Sequence, residues 1–210
     1  MVYLPPAFTE TRREVLIAHI ERHDFGMLVT HGEAGLTASQ IPFLVEERDG
    51  RLLLLGHLAR ANPQLEDLDG AAEALAVFAG PHAYISPSWY EAGPSVPTWN
   101  YATVHAYGGS RRIEDAEWLR DLVRRLSDRH EAREAAQGHM PWRMQDLPAP
   151  YVQSMLKGIV GIEISVARLE GKFKLSQNRP AADRPRIVAA LDARGDPDSA
   201  AVAELMRSEG

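Results

Sequence analysis

The sequence predicts an α+β protein in which a mostly antiparallel β-barrel carries peripheral helices. Three observations support this fold class. Short apolar runs recur along the chain and are separated by turn residues, as in antiparallel sheets. Only a few segments show the spacing of an amphipathic helix. The 210 residues, 45% of them hydrophobic, are enough for one full core.

The first predicted element is a helix over residues 11–23. Thr11 and Glu14 have the spacing of a capping box, in which each side chain would bond a free backbone N–H of the first turn. A buried stripe is predicted from Val15, Leu16, Ala18 and Ile20.

Strands follow the first helix. Residues 31–35 and the pair Asp49-Gly50 are rich in turn formers, so we expect the chain to reverse at each. Further strands are predicted after these turns. The predicted strands cover residues 25–30, 36–45, 52–56, 74–78, 82–86, 98–113 and 159–168.

Three later helices are predicted, over residues 117–130, 187–193 and 199–206, and residues 91–97 form the one conspicuous loop. No repeat or long linker divides the chain. We therefore expect a barrel domain over residues 1–180 and a helical extension over 181–210 that packs on the same domain.

Charge and composition exclude several classes of protein. The net charge is −6, which provides no general attraction to nucleic acid. The arginines of the 117–130 helix have acidic neighbours, so we interpret them as a solvated face. The absence of cysteine excludes disulfides and thiolate metal sites. No apolar signal core or membrane-spanning run is present, and we expect a cytoplasmic protein that does not contact membranes.

One turn has the chemistry of an anion site. Gly56, His57, Arg60 and Asn62 follow an apolar strand directly. Arginine carries a permanent charge on a planar fork that suits phosphate oxygens, and glycine lets the backbone approach a ligand. An ordinary surface arginine beside a tight turn would leave the same pattern, so this segment alone does not decide between the two.

Familiar catalytic and metal motifs are absent. The eight histidines include no His-Glu-x-x-His pattern, and the chain has neither a phosphate-binding P-loop nor a dinucleotide-binding glycine motif. No nucleophile elbow is present. The sequence therefore predicts no metal site, and the catalytic residues are unknown.

Four segments in order, GHLARANPQ (56–64), YISPSWY (84–90), VPTWNY (96–101) and GKFKLSQNRP (171–180), resemble the PaiB-type family of FMN-binding proteins. This family is a branch of the FMN-binding split-barrel group that includes pyridoxamine-phosphate oxidases. The resemblance runs from Tyr3 to about Pro180. Two departures are Gln40, where many relatives have histidine, and Phe173, where tryptophan is expected.

The resemblance implies an FMN-binding split barrel that forms a homodimer, with the flavin shared between subunits. The main chain of Gln40 and Ile41 would face the flavin ring, and Arg60 with Asn62 would bind the phosphate. The remaining implied cofactor-binding residues are Gly56 and His57 near the ribityl chain, Trp99, Asn100 and Thr103 on the dimer-facing strand, and Lys174, Ser176 and Gln177 on the closing segment.

Three functions follow from the resemblance, in this order. The first is an FMN-binding homodimer similar to PaiB-type transcriptional regulators, which acts through the flavin and not by reading DNA directly. The second is an FMN-dependent oxidoreductase with a small-molecule substrate. The third is a haem-handling split barrel, which would need a histidine ligand such as His57 or His105.

Overall fold

The computed structural model of the protein describes residues 1–70, 72–91 and 94–208. The strands in these ranges are β1 (Thr9–Glu10), β2 (Phe25–Gly32), β3 (Gly35–Pro42), β4 (Leu44–Arg48), β5 (Arg51–Ala59), β6 (Glu73–Ile85), β7 (Thr98–Ile113) and β8 (Ile159–Lys174). The α-helices are α1 (Arg13–Arg22), α2 (Ala116–Ala136), α3 (Ala149–Leu156), α4 (Asp183–Asp192) and α5 (Pro197–Ser208).

The strands form one sheet in the order β3-β2-β6-β7-β8-β5-β4, and β1 pairs with β8. The pairs β1 with β8, β2 with β3 and β6, β4 with β5, and β5 with β8 are antiparallel. Among the described residues the end strands β3 and β4 do not pair with each other, so the sheet is not closed. The predicted antiparallel β architecture with peripheral helices is confirmed.

The chain divides into two compact units. Unit 1 contains Met1–His23, Phe78–His105 and Leu169–Gly210, and unit 2 contains Asp24–Val77 and Ala106–Arg168. Strands β6, β7 and β8 each contribute residues to both units. Helices α4 and α5 belong to unit 1. The division into a domain over residues 1–180 and an extension over 181–210 stays a prediction.

Strand β5 organises the core of unit 2 because Leu52 to Leu55 are all buried, on both faces of the strand. Leu53 and Leu55 pack with Leu122 and Leu126 of α2. Burial on both faces explains why this part of the sequence reads as a continuous apolar run and does not alternate.

The capping box predicted for the first helix is wrong. Helix α1 begins at Arg13, and no side chain caps it. The carboxylate of Glu10 accepts the Arg12 backbone N–H at 2.7 Å and also binds the Arg12 guanidinium. The buried stripe also differs, because Ala18 is exposed and His19 is buried.

Two strand predictions are wrong in detail. The predicted strand 36–45 is divided after Pro42 into β3 and β4. The predicted strands 74–78 and 82–86 are one strand, β6, which runs through Gly80 and Pro81.

The other predicted strands and helices are confirmed, with shifts at their ends, and β7 spans the predicted residues 98–113. Strand β1 and helix α3 were not predicted. The predicted loop 91–97 includes Ala92 and Gly93, which lie outside the described residues. Within the described ranges, no helix combines the length and apolar composition needed to cross a membrane.

Candidate functional site

In unit 2 the candidate site begins at the end of β5, where Gly56 lies close to β3. A Cβ added at Gly56 would be 3.1 Å from Ile41 Cδ1 and 3.2 Å from Pro42 O. A side chain there would therefore need its neighbours to move by a few tenths of an ångström. The structure brings Gly56 and Ile41 together, as a site that uses both would require.

His57 follows Gly56 and is partly buried. Its Nδ1 is buried and has no hydrogen-bond partner among the described residues. Burial lowers the pKa of the imidazole below its usual value, so the ring is neutral near pH 7. A buried ring nitrogen without a partner is costly, and a bound group could supply that partner.

Arg60 is less available than its position in the sequence indicates. Its Nε donates to Lys157 O at 2.9 Å and its Nη2 donates to Ile159 O at 3.2 Å. Its Nη1 forms an ion pair with Glu114 at 2.7 Å. Two of the five N–H groups of the guanidinium remain for an anion.

Asn62 shapes the turn. Its side-chain oxygen accepts the Gln64 backbone N–H at 2.9 Å, which caps the short 3₁₀ helix at Pro63–Asp67. Its Nδ2 donates to Ser39 Oγ at 3.1 Å on β3. Asn62 therefore joins the turn after β5 to the strand that carries Gln40.

Strand β3 lies at one end of the strand order and pairs only with β2 in the described part of the chain. Gln40 is exposed on this strand, and Ile41 is buried. Because an edge strand leaves backbone N–H and C=O groups unpaired, its main chain can bond a ligand, as predicted for Gln40 and Ile41.

In unit 1 the predicted residues Asn100 and Ser176 bind each other. The Asn100 Nδ2 donates to Ser176 Oγ at 3.0 Å, and Ser176 Oγ donates to Asn100 Oδ1 at 3.1 Å. Both side chains are buried. They can therefore serve a cofactor by fixing the backbone of the segment after β8.

That segment is strained at Ser176, which has a positive φ of 62° although it is not glycine. The side chain of Gln177 bonds the backbone before Ser176. Its Oε1 accepts the Leu175 N–H at 2.7 Å, and its Nε2 donates to Phe173 O at 2.6 Å. Backbone strain of this kind is concentrated at binding and catalytic sites.

Thr103, another predicted residue, donates from Oγ1 to Phe78 O at 3.1 Å.

Trp99 presents an exposed aromatic surface. Its side chain is 51% exposed, and its ring lies 5.9 Å from the rings of His82 and Tyr84. An exposed group of large rings is the surface that a planar ligand or a second subunit would cover.

Lys174 belongs to a group of three cations that includes Lys172 and Arg179. Its pKa is lowered by burial and then by the charges of these two neighbours. Its Nζ donates to Thr98 Oγ1. Within the described ranges, none of the three cations forms an ion pair with a carboxylate. A partly buried positive group without an acidic partner is a candidate anion site.

The sequence interpretation missed Lys172 and Arg179. Lys172 is only 8% exposed and lies 5.1 Å from the Tyr3 ring and 5.6 Å from the Tyr101 ring. Arg179 lies 4.1 Å from the Tyr90 ring. The sequence did contain an indication of this positive group, because Lys172 and Lys174 are two residues apart on a strand and share one of its faces.

The predicted flavin-binding residues are divided between the two units. Unit 2 holds Gln40, Ile41, Gly56, His57, Arg60 and Asn62 on β3 and around the end of β5. Unit 1 holds Trp99, Asn100 and Thr103 on β7 and Lys174, Ser176 and Gln177 at the end of β8. Cations without acidic partners, an exposed ring surface and open backbone groups fit a planar, phosphorylated cofactor.

Comparison with known proteins agrees with this chemistry. A family model described as "Putative FMN-binding domain" matches residues 2–168. The chain is 33% identical over 208 residues to "Protease synthase and sporulation protein PAI 2" of Bacillus subtilis (strain 168), which covers 99% of this chain and 98% of that protein. It is also 31% identical to a protein of Emericella nidulans, AN0679, across 100% of this chain and 98% of the other.

Solved structures show the same fold at low sequence identity. The flavocytochrome Anf3 of Azotobacter vinelandii aligns with a TM-score of 0.57 at 12% identity and covers 81% of this chain and 72% of that one. A FAD- and haem-binding protein of Mycobacterium smegmatis aligns with a TM-score of 0.56 at 16% identity, over 90% of this chain and 80% of that one.

The match to the family model extends over most of the chain, and the Bacillus subtilis relative is aligned along nearly its whole length. The structural neighbours show the split-barrel fold independently. The chain therefore belongs to the PaiB-type family of FMN-binding proteins, and FMN is its cofactor.

Proposed function

We propose that this protein is a cytoplasmic FMN-binding homodimer that influences gene expression through its flavin or a small ligand and does not read DNA sequence directly. The claim that the protein does not read DNA sequence directly rests on the ion pairs of the arginines on α2. These arginines are the main local concentration of positive charge in the sequence, and the structure pairs four of the five with carboxylates.

Four arginines of α2 have acidic partners. Arg124 pairs with Asp121 at 2.7 Å and with Asp128 at 2.9 Å. Arg125 pairs with Glu46 at 2.8 Å. Arg129 and Arg133 both bind the buried carboxylate of Asp24 at 3.0 Å. Arginines held in this way support the packing of α2 and have little charge left to neutralise phosphates.

The chain's own residues fit the cofactor in two ways. Arg60 keeps two free N–H groups, and Lys174 has two further cations near it. Either group can bind a phosphate that carries nearly two negative charges at neutral pH. When bound, the flavin supplies the electron chemistry. The protein residues hold it, orient its ring and neutralise its phosphate.

A second copy of the chain is the expected partner. The exposed rings of Trp99 and Tyr84 provide apolar area for a subunit contact, and a two-fold dimer is the commonest assembly of identical chains. Sharing the flavin between subunits is what the family resemblance implies.

A flavin-dependent oxidoreductase with a small anionic substrate is the second candidate. The group formed by Lys172, Lys174 and Arg179 favours it, because its positive charge exceeds what one phosphate needs. Reoxidation of the reduced flavin by a candidate substrate, followed by absorbance, would identify this activity.

A DNA titration tests the regulatory part of the proposal. Purified, FMN-loaded protein is titrated against genomic fragments at near-physiological salt, with an excess of unrelated duplex DNA. We expect only weak binding that the competitor abolishes and that falls steeply with salt. Nanomolar binding that resists the competitor would show that the chain reads DNA itself.

A further inference from the structure

Unit 2 contains a cavity that is lined by none of the predicted flavin-binding residues. We call it the arginine cavity. Its volume is about 570 Å³, and Arg48, Arg51, Arg111, Ser110 and Glu163 are among the residues that line it. A volume of roughly 300–1,000 Å³ is typical of sites for small molecules.

Two of the arginines lie on the hairpin between β4 and β5. Arg48 and Arg51 are directly paired across the turn formed by Asp49 and Gly50, both of which have positive φ. Like charges opposite each other on neighbouring strands destabilise a hairpin unless opposite charge compensates them. Arg48 has such compensation from Glu46 and Glu163, whereas Arg51 has no ion-pair partner in the described part of the chain.

Glu163 fixes the third arginine. It is 7% exposed, and its Oε1 accepts from Arg111 Nε at 2.7 Å while its Oε2 accepts from Arg48 Nη1 at 3.2 Å. The bond to Nε orients the guanidinium of Arg111 and leaves both terminal nitrogens without a partner among the described residues. Arg111 therefore presents a free fork at the cavity.

We propose that the arginine cavity binds a small dianion, a phosphate ester or a dicarboxylate, between Arg51 and Arg111. The unpaired guanidinium of Arg51 and the two terminal nitrogens of Arg111 match the several oxygens of a phosphate or a dicarboxylate, and arginine binds both in bidentate fashion. Glu163 lies behind the pair and holds Arg111 in place. The concave shape favours a small molecule over duplex DNA, which would need an extended basic face.

Calorimetric titration of the FMN-loaded protein tests this site, with glycerol 3-phosphate and succinate as separate probes in chloride buffer. We expect one probe to bind at one site per chain, and the preferred probe identifies the class of dianion. Arg51→Gln and Arg111→Gln should each weaken its binding about tenfold or more, the scale of a charged hydrogen bond. Arg143→Gln removes the same charge from an exposed residue outside the cavity and should leave the affinity unchanged.

Three results would overturn the site as a whole. They are the absence of saturable binding by either probe, an equal loss of affinity in Arg143→Gln, and a change of oligomeric mass in Arg111→Gln without a change in anion affinity. The last would identify a subunit contact. Competition of the bound probe by duplex DNA would identify a nucleic-acid surface instead. FMN content, read from the visible spectrum, reports the flavin site separately in every variant.

Discussion

The Arg60 side chain can stabilise the local fold and bind a phosphate at the same time. Its bonds to Lys157 O and Ile159 O join the turn after β5 to the start of β8, and its remaining N–H groups are free for a phosphate. A substitution there should therefore affect both the local structure and the cofactor, and a test must separate the two effects.

We predict that Arg60→Ala weakens FMN binding by about 1.5–3 kcal/mol and leaves riboflavin binding nearly unchanged, because riboflavin lacks the phosphate. Flavin fluorescence titration measures both affinities. Glu114→Gln is the matched control, since it frees the guanidinium from its ion pair and should maintain or strengthen FMN binding. An equal loss for FMN and riboflavin would show that Arg60 acts on the fold alone.

His19 is a buried histidine that does not become charged easily. Its Nε2 lies 3.2 Å from Phe78 O, and burial, His23 and Arg22 lower its pKa to about 4. The unfolded chain, with a pKa near 6.5, therefore binds a proton more readily than the folded protein between these values. Stability contributed by the neutral ring is complete above about pH 6.5 and is lost as the pH falls towards 4.

We predict that the free energy of unfolding falls by about 2 kcal/mol through His19 alone between about pH 8 and about pH 5. Urea unfolding at the two pH values measures it. His19→Gln should remove this part of the pH dependence, whereas His139→Gln, at an exposed histidine, should retain it. The same slope in His19→Gln would disprove the assignment.

At the scale of elements, Gln64 joins the turn after β5 to the β2–β3 hairpin. It is 1% exposed, and its Nε2 lies within hydrogen-bond distance of Leu28 O, Thr30 Oγ1 and Thr37 O, at 3.1 to 3.2 Å. Thr30 Oγ1 in turn donates to Asp67 Oδ2 at 2.7 Å. This buried network holds the turn that carries Arg60 and Asn62.

We predict that Gln64→Leu destabilises the protein by about 2–4 kcal/mol, because buried backbone carbonyls lose their donor. It should also weaken FMN binding, since the turn is no longer fixed. Urea unfolding and flavin titration check the two effects. Gln153→Leu, at an exposed position on α3, is the control and should change neither. Unchanged stability in Gln64→Leu would mean that the network is dispensable.

At the scale of the whole molecule, both compact units contribute predicted flavin-binding residues, and unit 1 exposes the rings of Trp99 and Tyr84. A single chain would leave this apolar surface in water. A dimer would cover it and would make flavin binding depend on assembly.

We predict a homodimer with two equivalent flavins. Light scattering gives its mass, and the visible spectrum gives the flavin content per chain. Trp99→Glu should lower both the dimer fraction and FMN occupancy, because it places a charge in the contact. Trp142→Glu introduces the same change at another exposed tryptophan and is the control. A stable monomer with full FMN occupancy would refute the dimer, and a Soret band would indicate haem instead.

Local sequence patterns determined much of this protein. Strand β7, helix α2 and the hairpins could be predicted because apolar period and turn residues act over short stretches of chain. The family motifs were also present in order along the chain and indicated the correct family, whereas phosphate binding at the Arg60 turn stays a prediction. The merged strand β6 and the absent capping box of α1 show the limit, because short local patterns did not determine either.

Only the tertiary structure decided which charges are free. Arg60 lies in a promising motif, yet carbonyls of residues distant in sequence occupy part of it. Lys172 and Arg179 looked ordinary, yet no described carboxylate pairs with them, and Glu163 orients Arg111 across a strand pair. Strand register and packing set these contacts, and both depend on the whole chain. Residue type and spacing can therefore propose an ionic site, but the availability of each charge follows from the fold.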